Sequence, residues 1–550
     1  MSTNTHQIRI LSSARRLKAG HGQNLLEALV LSGIQLRADC GGKGVCGKCL
    51  VQIQPESGSE LTISKCGASV TSRSDLIERL ACQTQVYGNL AIEIPASSVA
   101  LAELIAKPIF FSRVSLAGPE ELTSNVPEDC GIAVDLGTTT IAVFLCDLDR
   151  GKVIASGSAR NPQFIFGYDV MSRISVASAK RSNLKSLQRM AVAAINQTVA
   201  SLAAHVGIHT DKVKRVLVVG NPTMIHLFLG IDPSPIGVYP YRPNFYHDRT
   251  MTAAQIGLQL HANTQLHTLP FISGFLGSDI IASAMASDLD AGENGTMLID
   301  VGTSGEIMLS VGGNLIATSC ATGPAFEGAA ARHGVYAVSG AVDTISIEPV
   351  NANVNYTLIQ PNPAEREKAT GICGAGVVSA TAKLLRAGIL SKSGAFNLDC
   401  GHPNLRRNSD GIIEFLLVPK AHTRTHADIT FTQKDIRAVQ LAKAAIYAGI
   451  LLLCREVKIE LPQRIVIAGA FGSFLDKRDA KTIGMLPPLS DGLLKSAGNA
   501  AGEGAVLALL NGDFAHRAQE IAHRTRVVDL ASHPDFQEIF LNSLTFPDVL

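Results

Sequence analysis

Residues 132–140 read IAVDLGTTT, and residues 297–305 read MLIDVGTSG. The two align without a gap. Each is an apolar, strand-like run that ends in aspartate, then Gly–Thr and a turn. A second apolar run follows in both places, IAVFLCDL from Ile141 and EIMLS from Glu306. Two copies this far apart mark a duplication at the scale of a domain, not a short solenoid period. Between and beyond them, helical periodicity at 184–205 and 432–457 alternates with strand-like runs at 216–219 and 464–468. Alternating β and α elements predict two α/β lobes.

The turns carry a specific chemistry. Gly137 and Gly302 let the backbone approach phosphate oxygens, and the hydroxyls of Thr138, Thr139, Thr303 and Ser304 can cradle them. Asp135 and Asp300 stand at strand ends, where a carboxylate can hold a hydrated Mg²⁺. A single Asp-x-Gly-Thr turn is common in α/β proteins. Two at equivalent points of a duplication form the facing halves of a phosphate clamp. A third segment, IVIAGAFG at 465–472, runs from a strand into a small-residue turn. Its Gly469 and Gly472 would admit an adenosine. GICGAG at 371–376, with Gly374 and Gly376, is the expected second wall. No Walker A pattern occurs in the chain, which excludes P-loop chemistry. The layout resembles the actin, Hsp70 and sugar-kinase superfamily, and that resemblance implies ATP in a cleft between two lobes that open and close. Asp279, in GFLGSDI, and Glu306 are candidates to position an attacking water or to act as a base. For Asp279 a helix N-cap ahead of IIASAMA is the structural alternative.

The N-terminal stretch has another character. Strand-like runs at 7–11 and 16–18 are followed by a helical run at 24–31, a glycine loop, a strand at 50–53 and another strand-like segment at 83–94. That is the size of one small α+β domain. Four of its cysteines are spaced Cys40-x5-Cys46-x2-Cys49-x32-Cys82. Thiolates are the soft ligands of iron–sulfur clusters, and four of them complete two irons sharing two sulfides. Gly41, Gly42, Gly44 and Gly47 allow the left-handed backbone such a loop requires. Zinc is the alternative, but its cysteines usually come as two C-x2-C pairs. Three cysteines in one loop and a fourth further on is the ferredoxin pattern. The plant-type loop has four residues in its first gap. This loop has one more, so it resembles the adrenodoxin-like branch. Cys66 lies between the third and fourth ligands and is the competing choice for Cys82.

The bulk numbers set bounds. A chain of 550 residues exceeds a single core of roughly 250–300 residues. Lys+Arg 48 against Asp+Glu 47 gives no basic excess to suggest nucleic acid. The most apolar helical run, 442–454, is bracketed by Lys443 and Arg455 and falls short of the ~20 residues of a membrane span. No signal-peptide pattern opens the chain. The expectation is a cytoplasmic protein that does not enter a membrane, in which clustered cysteines bind metal and scattered ones do not form disulfides. The organisation expected is a [2Fe–2S] ferredoxin-like domain at 1–95, a linker at 96–128, a middle domain at 129–206 and an ATPase domain at 207–550. In fold terms this is an α+β, β-grasp ferredoxin-like domain followed by a duplicated α/β two-lobed ATPase.

Several strings together resemble the reductive activators of corrinoid proteins. They are DCGGKGVCGKC, VDLGTTTIA, NPQFIFGYDVMSRI (161–174), GNPTMIHLFLG (220–230), IDVGTSGEI, ATGPAFEGA (321–329), GICGAG and IAGAFG. The resemblance covers essentially the whole chain. It implies ATP-dependent, one-electron reduction of a corrinoid protein from Co(II) to methyl-accepting Co(I), through a [2Fe–2S] cluster and with Mg²⁺. It also implies an upstream electron donor and a possible homodimer. The alternatives are an ATP-driven donor to another low-potential acceptor, a small-molecule kinase with a redox switch, and a non-enzymatic module whose cluster only senses. The cysteine assignment makes a direct prediction. Protein purified without oxygen carries about two irons and two sulfides. Cys40→Ser, Cys46→Ser, Cys49→Ser and Cys82→Ser each lose them and Cys66→Ser keeps them. Iron analysis with the visible spectrum checks this, and iron retained in the Cys82 variant but lost in the Cys66 variant contradicts it.

Overall fold

The structure, a computed structural model, describes residues 5–13, 15–34, 36, 44, 49–55, 76–95, 98, 114–116, 127–327, 331–337, 339–348, 353–359, 368–469 and 475–548. Cys40, Cys46, Cys66, Gly472 and most of the expected linker 96–128 lie outside these residues.

The first unit is a five-stranded sheet in the order Arg16–Gly20, Thr5–Ile10, Leu90–Glu93, Leu50–Pro55, Ile77–Leu80. Thr5–Ile10 pairs antiparallel with Arg16–Gly20 and parallel with Leu90–Glu93, the mixed pairing of a β-grasp sheet. The helix Leu25–Leu31 lies across it. Asn24 caps this helix, its side chain accepting from the Glu27 N–H at 3.3 Å. Leu25, Leu26 and Leu29 are fully buried against Ile8, Val51 and Ile92 of the sheet. The expected continuous strand at 83–94 is broken. A 3-10 turn spans Ala81–Gln83, and two short strands follow at Gln85–Val86 and Leu90–Glu93.

Two six-stranded sheets centre the rest of the architecture, with two three-stranded sheets beside them. In the first the order is Lys152–Arg160, Thr140–Asp147, Cys130–Leu136, Val213–Val219, Gln265–Thr268, Arg249–Thr252. In the second it is Leu494–Gly498, Arg464–Ala468, Thr296–Val301, Gly305–Val311, Asn314–Cys320, Thr525–Val527. Each is centred on one copy of the duplicated hairpin, antiparallel within the hairpin and parallel to the next strand inward. The boundary expected at 206/207 falls inside the first sheet, because Val213–Val219 pairs with Cys130–Leu136. The helix Arg181–His205, read as the end of a middle domain, instead packs on the strands Thr140–Asp147 and Lys152–Arg160 of that sheet.

The lobes meet through two helices. Ser278–Ala286 follows the strands of the first sheet in sequence, and Ala500–Leu510 comes late in the second lobe. Ala500–Leu510 lies on the first sheet, while Ser278–Ala286 touches the central strands of the second. They cross at Gly504, where an added Cβ would come within 2.0 Å of the Ala282 carbonyl oxygen. Only glycine permits that approach. The apolar cluster around the crossing draws on both sheets, including Ala133, Phe144, Leu298, Met308 and Ala468.

The long helix Gln433–Glu456 is apolar and long enough to cross a membrane by length and composition, and most of its apolar window is buried. Ile436, Val439, Ile446, Ile450 and Leu453 are fully enclosed in the core of the second lobe. Lys443 is buried with them. Its ammonium donates to the Thr545 carbonyl at 2.6 Å beside the Phe546 ring, so it pins the C-terminal tail. In the first lobe His226 is enclosed and stacked on Phe245. Its Nδ1 is 2.6 Å from the Pro222 carbonyl, and its Nε2 accepts from the Asn244 N–H at 3.1 Å. Burial pulls its pKa down to about 4. It is therefore a neutral core histidine with both nitrogens used.

Candidate active site

The duplicated hairpins bring their turns together at the mouth of the groove between the sheets. The Thr139 and Thr303 hydroxyls are 3.2 Å apart, a contact between residues 164 positions distant in sequence. Asp135 and Asp300 sit at equivalent places on the central strands, as the sequence alignment requires. The hairpins are not identical in register. Leu136 pairs with Ile141, but Val301 pairs with Gly305, so the second turn is one residue tighter. Asp135 therefore faces Ala142 across its hairpin, whereas Asp300 faces Glu306. The second lobe carries an extra carboxylate that the first lacks.

Asp279 completes the group, and it is not an N-cap. Gly277 is the cap of helix Ser278–Ala286, and Asp279 lies in its first turn. One helical turn later Ser283 is on the same face and donates to Asp300 Oδ2 at 3.0 Å. Burial, then the charges of Asp300 and Asp135, push the Asp279 pKa up to about 7. Burial, then Asp279, Asp300 and Asp135, raise Glu306 well above the ordinary carboxylate range. Among the described residues no three such groups converge on one point that could directly hold a metal. Mg²⁺ does not need such a convergence, since it keeps several waters and takes one or two carboxylates together with phosphate oxygens.

The glycines of the site have different duties. Gly302 is open, with nothing nearer to an added Cβ than the Ser304 carbonyl at 3.5 Å. Gly137 is held, since a Cβ there would strike the Thr140 carbonyl, which accepts from its own N–H. Gly469 has φ +92°, and a Cβ would meet Asp300 Oδ1 at 2.7 Å, so the third segment's turn lies directly against the second aspartate. Gly376 is packed onto the Val342 carbonyl in the helix Gly374–Arg386, and Gly374 is that helix's first residue. Ser304 follows Thr303 in the second turn, and the Thr322 hydroxyl braces that turn through the carbonyls of Gly302 and Thr303, both at 3.0 Å.

Two asparagines that the sequence reading passed over hold the first turn. Each caps a helix with proline at the next position, in Asn161–Pro162 and Asn221–Pro222. As caps, their oxygens accept from the N–H groups of Gln163 and Met224. That leaves the amide nitrogens to donate elsewhere. Asn161 Nδ2 reaches the Gly137 carbonyl at 2.9 Å, and Asn221 Nδ2 reaches Thr138 Oγ1 at 3.0 Å. Arg173, fully buried, donates to the Thr138 carbonyl at 2.7 Å. The legible signal was the repeated Asn-Pro pair, a helix-start pattern.

The cluster site is seen through its described half. Cys49 ends the glycine loop and Cys82 sits in the 3-10 turn Ala81–Gln83. The Ala81 N–H donates to the Cys49 carbonyl at 2.8 Å, and Asn24 Nδ2 donates to the Cys82 carbonyl at 2.8 Å. The Cys82 thiol hydrogen-bonds Cys49 and, against the effect of burial, lowers its pKa to about 6. Gly44, φ +76°, lies against the side chain of Gln83, the residue after the fourth expected ligand. Two adjacent soft donors, one already favoured as thiolate, with Gly44 against the neighbouring Gln83, fit a thiolate-held cluster.

Comparison with known proteins places these parts in sequence. Residues 8–87 match the family described as the 2Fe-2S iron-sulfur cluster binding domain, residues 130–292 the RACo middle region, and residues 294–549 the C-terminal domain of RACo, the ASKHA domain. The corrinoid activation enzyme RamQ of Eubacterium limosum is 31% identical over 94% of this chain and 95% of its own. The [Co(II) methylated amine-specific corrinoid protein] reductase of Methanosarcina barkeri is 25% identical over 65% of this chain and 66% of its own. A solved structure of a reductive activator for corrinoid, iron-sulfur protein superposes with a TM-score of 0.71, at 27% identity and 98% coverage of both chains.

The four-carboxylate group generates a pH prediction. Asp279 and Glu306 bind their protons more tightly in the folded chain than in the unfolded one. The stability they contribute is fully present below the ordinary carboxylate pKa of about 4. It is lost as pH rises through about 7 for Asp279. Without divalent ions, Tm attributable to this group falls by several degrees between pH 5 and pH 8, and MgATP restores it at pH 8. Asp279→Asn flattens the slope. Scanning calorimetry checks this, and a wild-type slope unchanged by Asp279→Asn contradicts it.

Proposed function

The chain belongs to the family of reductive activators of corrinoid proteins, and on that premise we propose how its parts share the work. The protein is an ATP-hydrolysing iron–sulfur enzyme that passes one electron to the Co(II) form of a corrinoid protein, returning it to Co(I) for methyl transfer. A [2Fe–2S] cluster supplies one electron at a time, and that of a plant-type ferredoxin sits at about −400 mV. Co(I) is a very strong reductant, so the transfer is uphill, and each ~59 mV costs tenfold in a one-electron equilibrium. A nucleotide can shift that equilibrium only by interacting differently with two conformations.

Cys40, Cys46, Cys49 and Cys82 hold the cluster, and Asn24 and Gln83 fix the closing ligand. Gly137, Thr138, Thr139, Gly302, Thr303 and Ser304 cradle phosphates, with Asp135 and Asp300 on hydrated Mg²⁺. Gly374 and Gly376 on one side and Gly469 and Gly472 on the other admit the adenosine. Asp279 and Glu306, whose raised proton affinity suits a base when ionised, position the attacking water, and the ionised one takes up its proton. The same reading makes the protein cytoplasmic, fed by an upstream electron donor, and homodimeric.

One observation carries this reading. The two phosphate turns meet at the Thr139–Thr303 contact, while the ferredoxin unit packs on the lobe that bears the first of them. The test is to mix reduced protein, a Co(II) corrinoid protein and MgATP and to follow the Co(I) spectrum. Co(I) accumulates only when cluster, reductant and hydrolysable ATP are all present. Asp135→Asn or Asp300→Asn lowers ATP hydrolysis by about 10²-fold while dye reduction of the cluster survives. Equal Co(I) yield without ATP, or phosphorylation of a small molecule at the rate of ATP use, contradicts the proposal.

A further inference from the structure

The motif at 161–174 has no part in the chemistry above, yet it occupies the space between nucleotide turn and ferredoxin. Its residues face three ways. Asn161 and Arg173 hold the carbonyls of Gly137 and Thr138. Phe164 and Ile165 are buried, and they are counted in the ferredoxin's own apolar core beside Leu29 and Cys49. Gln163 is fully enclosed and ties the two sets together. Its Oε1 accepts from Arg173 at 3.1 Å, and its Nε2 donates to the Leu187 carbonyl at 2.9 Å. Leu187 is in the helix Arg181–His205, whose Ser186 and Arg189 both donate to Glu27 of the ferredoxin helix, at 2.8 and 3.1 Å.

The third direction is the second lobe. The Arg160 guanidinium lies 3.6 Å from the Phe164 ring centroid and 4.9 Å from that of Tyr336. Both are within cation–π range. Its Nε is buried with no hydrogen-bond partner among the described residues. The stack holds this side chain together with a long 3.5 Å hydrogen bond from its Nη2 to the Tyr336 hydroxyl. Tyr336 belongs to a stretch pinned to GICGAG, the expected adenosine wall. The Val335 N–H donates to the Ile372 carbonyl, and the Ile372 N–H to the His333 carbonyl, both at 2.9 Å.

We propose that Tyr336, Arg160 and Phe164 form a stacked relay that carries lobe closure from the adenosine wall to the ferredoxin core, with Asn161 adding the state of the phosphate turn at the same point. The three are positioning residues, acting through the packing between the two sites and not on the reacting groups. The relay explains why the ferredoxin docks on this lobe through Phe164 and Ile165 and is not merely tethered by the chain. Movement of the second lobe shifts the Tyr336 ring, the Arg160 plane follows it, and Phe164 transmits the shift into the packing around Leu29 and Cys49.

The inference rests on the reading that nucleotide binds between the lobes, and its test separates the two. Hydrogen–deuterium exchange is measured on the full-chain holoprotein with and without Mg²⁺ and a non-hydrolysable ATP analogue. Two segments are followed, the turn Gly137–Thr140 and the ferredoxin helix Leu25–Leu31. In wild type the analogue changes exchange several-fold in both. Tyr336→Phe, which keeps the ring, preserves both responses. Tyr336→Ala keeps the response of the turn and loses that of the helix. A helix response retained in Tyr336→Ala, or absent from wild type although the turn responds, overturns the relay. No response at the wild-type turn overturns the nucleotide-cleft reading and the relay with it.

Discussion

Ala282 and Gly504 touch backbone to backbone where two helices far apart in sequence cross. Each helix is rooted in one lobe and leans on the other lobe's sheet. A side chain at position 504 would push the helices apart and carry the sheets with them. The meeting of Thr139 with Thr303 depends on this crossing, because it fixes how far one hairpin stands from its copy. So does the approach of Ser283, on one crossing helix, to Asp300 on the other lobe's central strand. A pivot made of two close helices in an apolar cluster is stiff to separation and compliant to rotation. That is the mechanical property a nucleotide-driven cleft requires.

Electrostatics then give the cleft a preference. Among Asp135, Asp279, Asp300 and Glu306 the charges act on one another, and Asp279 and Glu306 hold their protons above the ordinary range. With no cation beside them the four carboxylates oppose closure. A hydrated Mg²⁺ carried in with phosphate reverses the sign. Binding energy from the nucleotide is therefore expressed as lobe position. The ferredoxin is packed on the first lobe, which is where the proposed relay would make lobe position felt.

Much of this was legible in the sequence, and the reasons for the rest are specific. The duplicated hairpins were readable because aspartate, glycine and small hydroxyls recur in both at one spacing, and the ferredoxin-like unit was readable because its cysteines cluster in one small α+β stretch. The lobe limits were not. A helix as long as Arg181–His205 looks like a domain end, but the strand after it, Val213–Val219, pairs back with Cys130–Leu136, and pairing partners leave no local trace. The asymmetry that sets Glu306 opposite Asp300 and Ala142 opposite Asp135 arises from one residue of turn length, which a gap-free alignment hides. Asn161 and Asn221 were visible as helix starts. Their second bonds, to Gly137 and Thr138, depend on tertiary placement alone.

The central claim is that nucleotide and corrinoid partner bias the same pair of conformations. If so, the influence is mutual: what ATP does to the partner, the partner does to ATP affinity by the same factor. Titration calorimetry of a non-hydrolysable ATP analogue into the full-chain holoprotein measures this directly, first alone, then with the corrinoid protein as Co(II), then as Co(I). The account predicts that affinity differs between the Co(II) and Co(I) complexes by about tenfold, or ~1.4 kcal/mol of coupling. Identical affinities in all three titrations would mean that cleft and corrinoid are not coupled, and would contradict it.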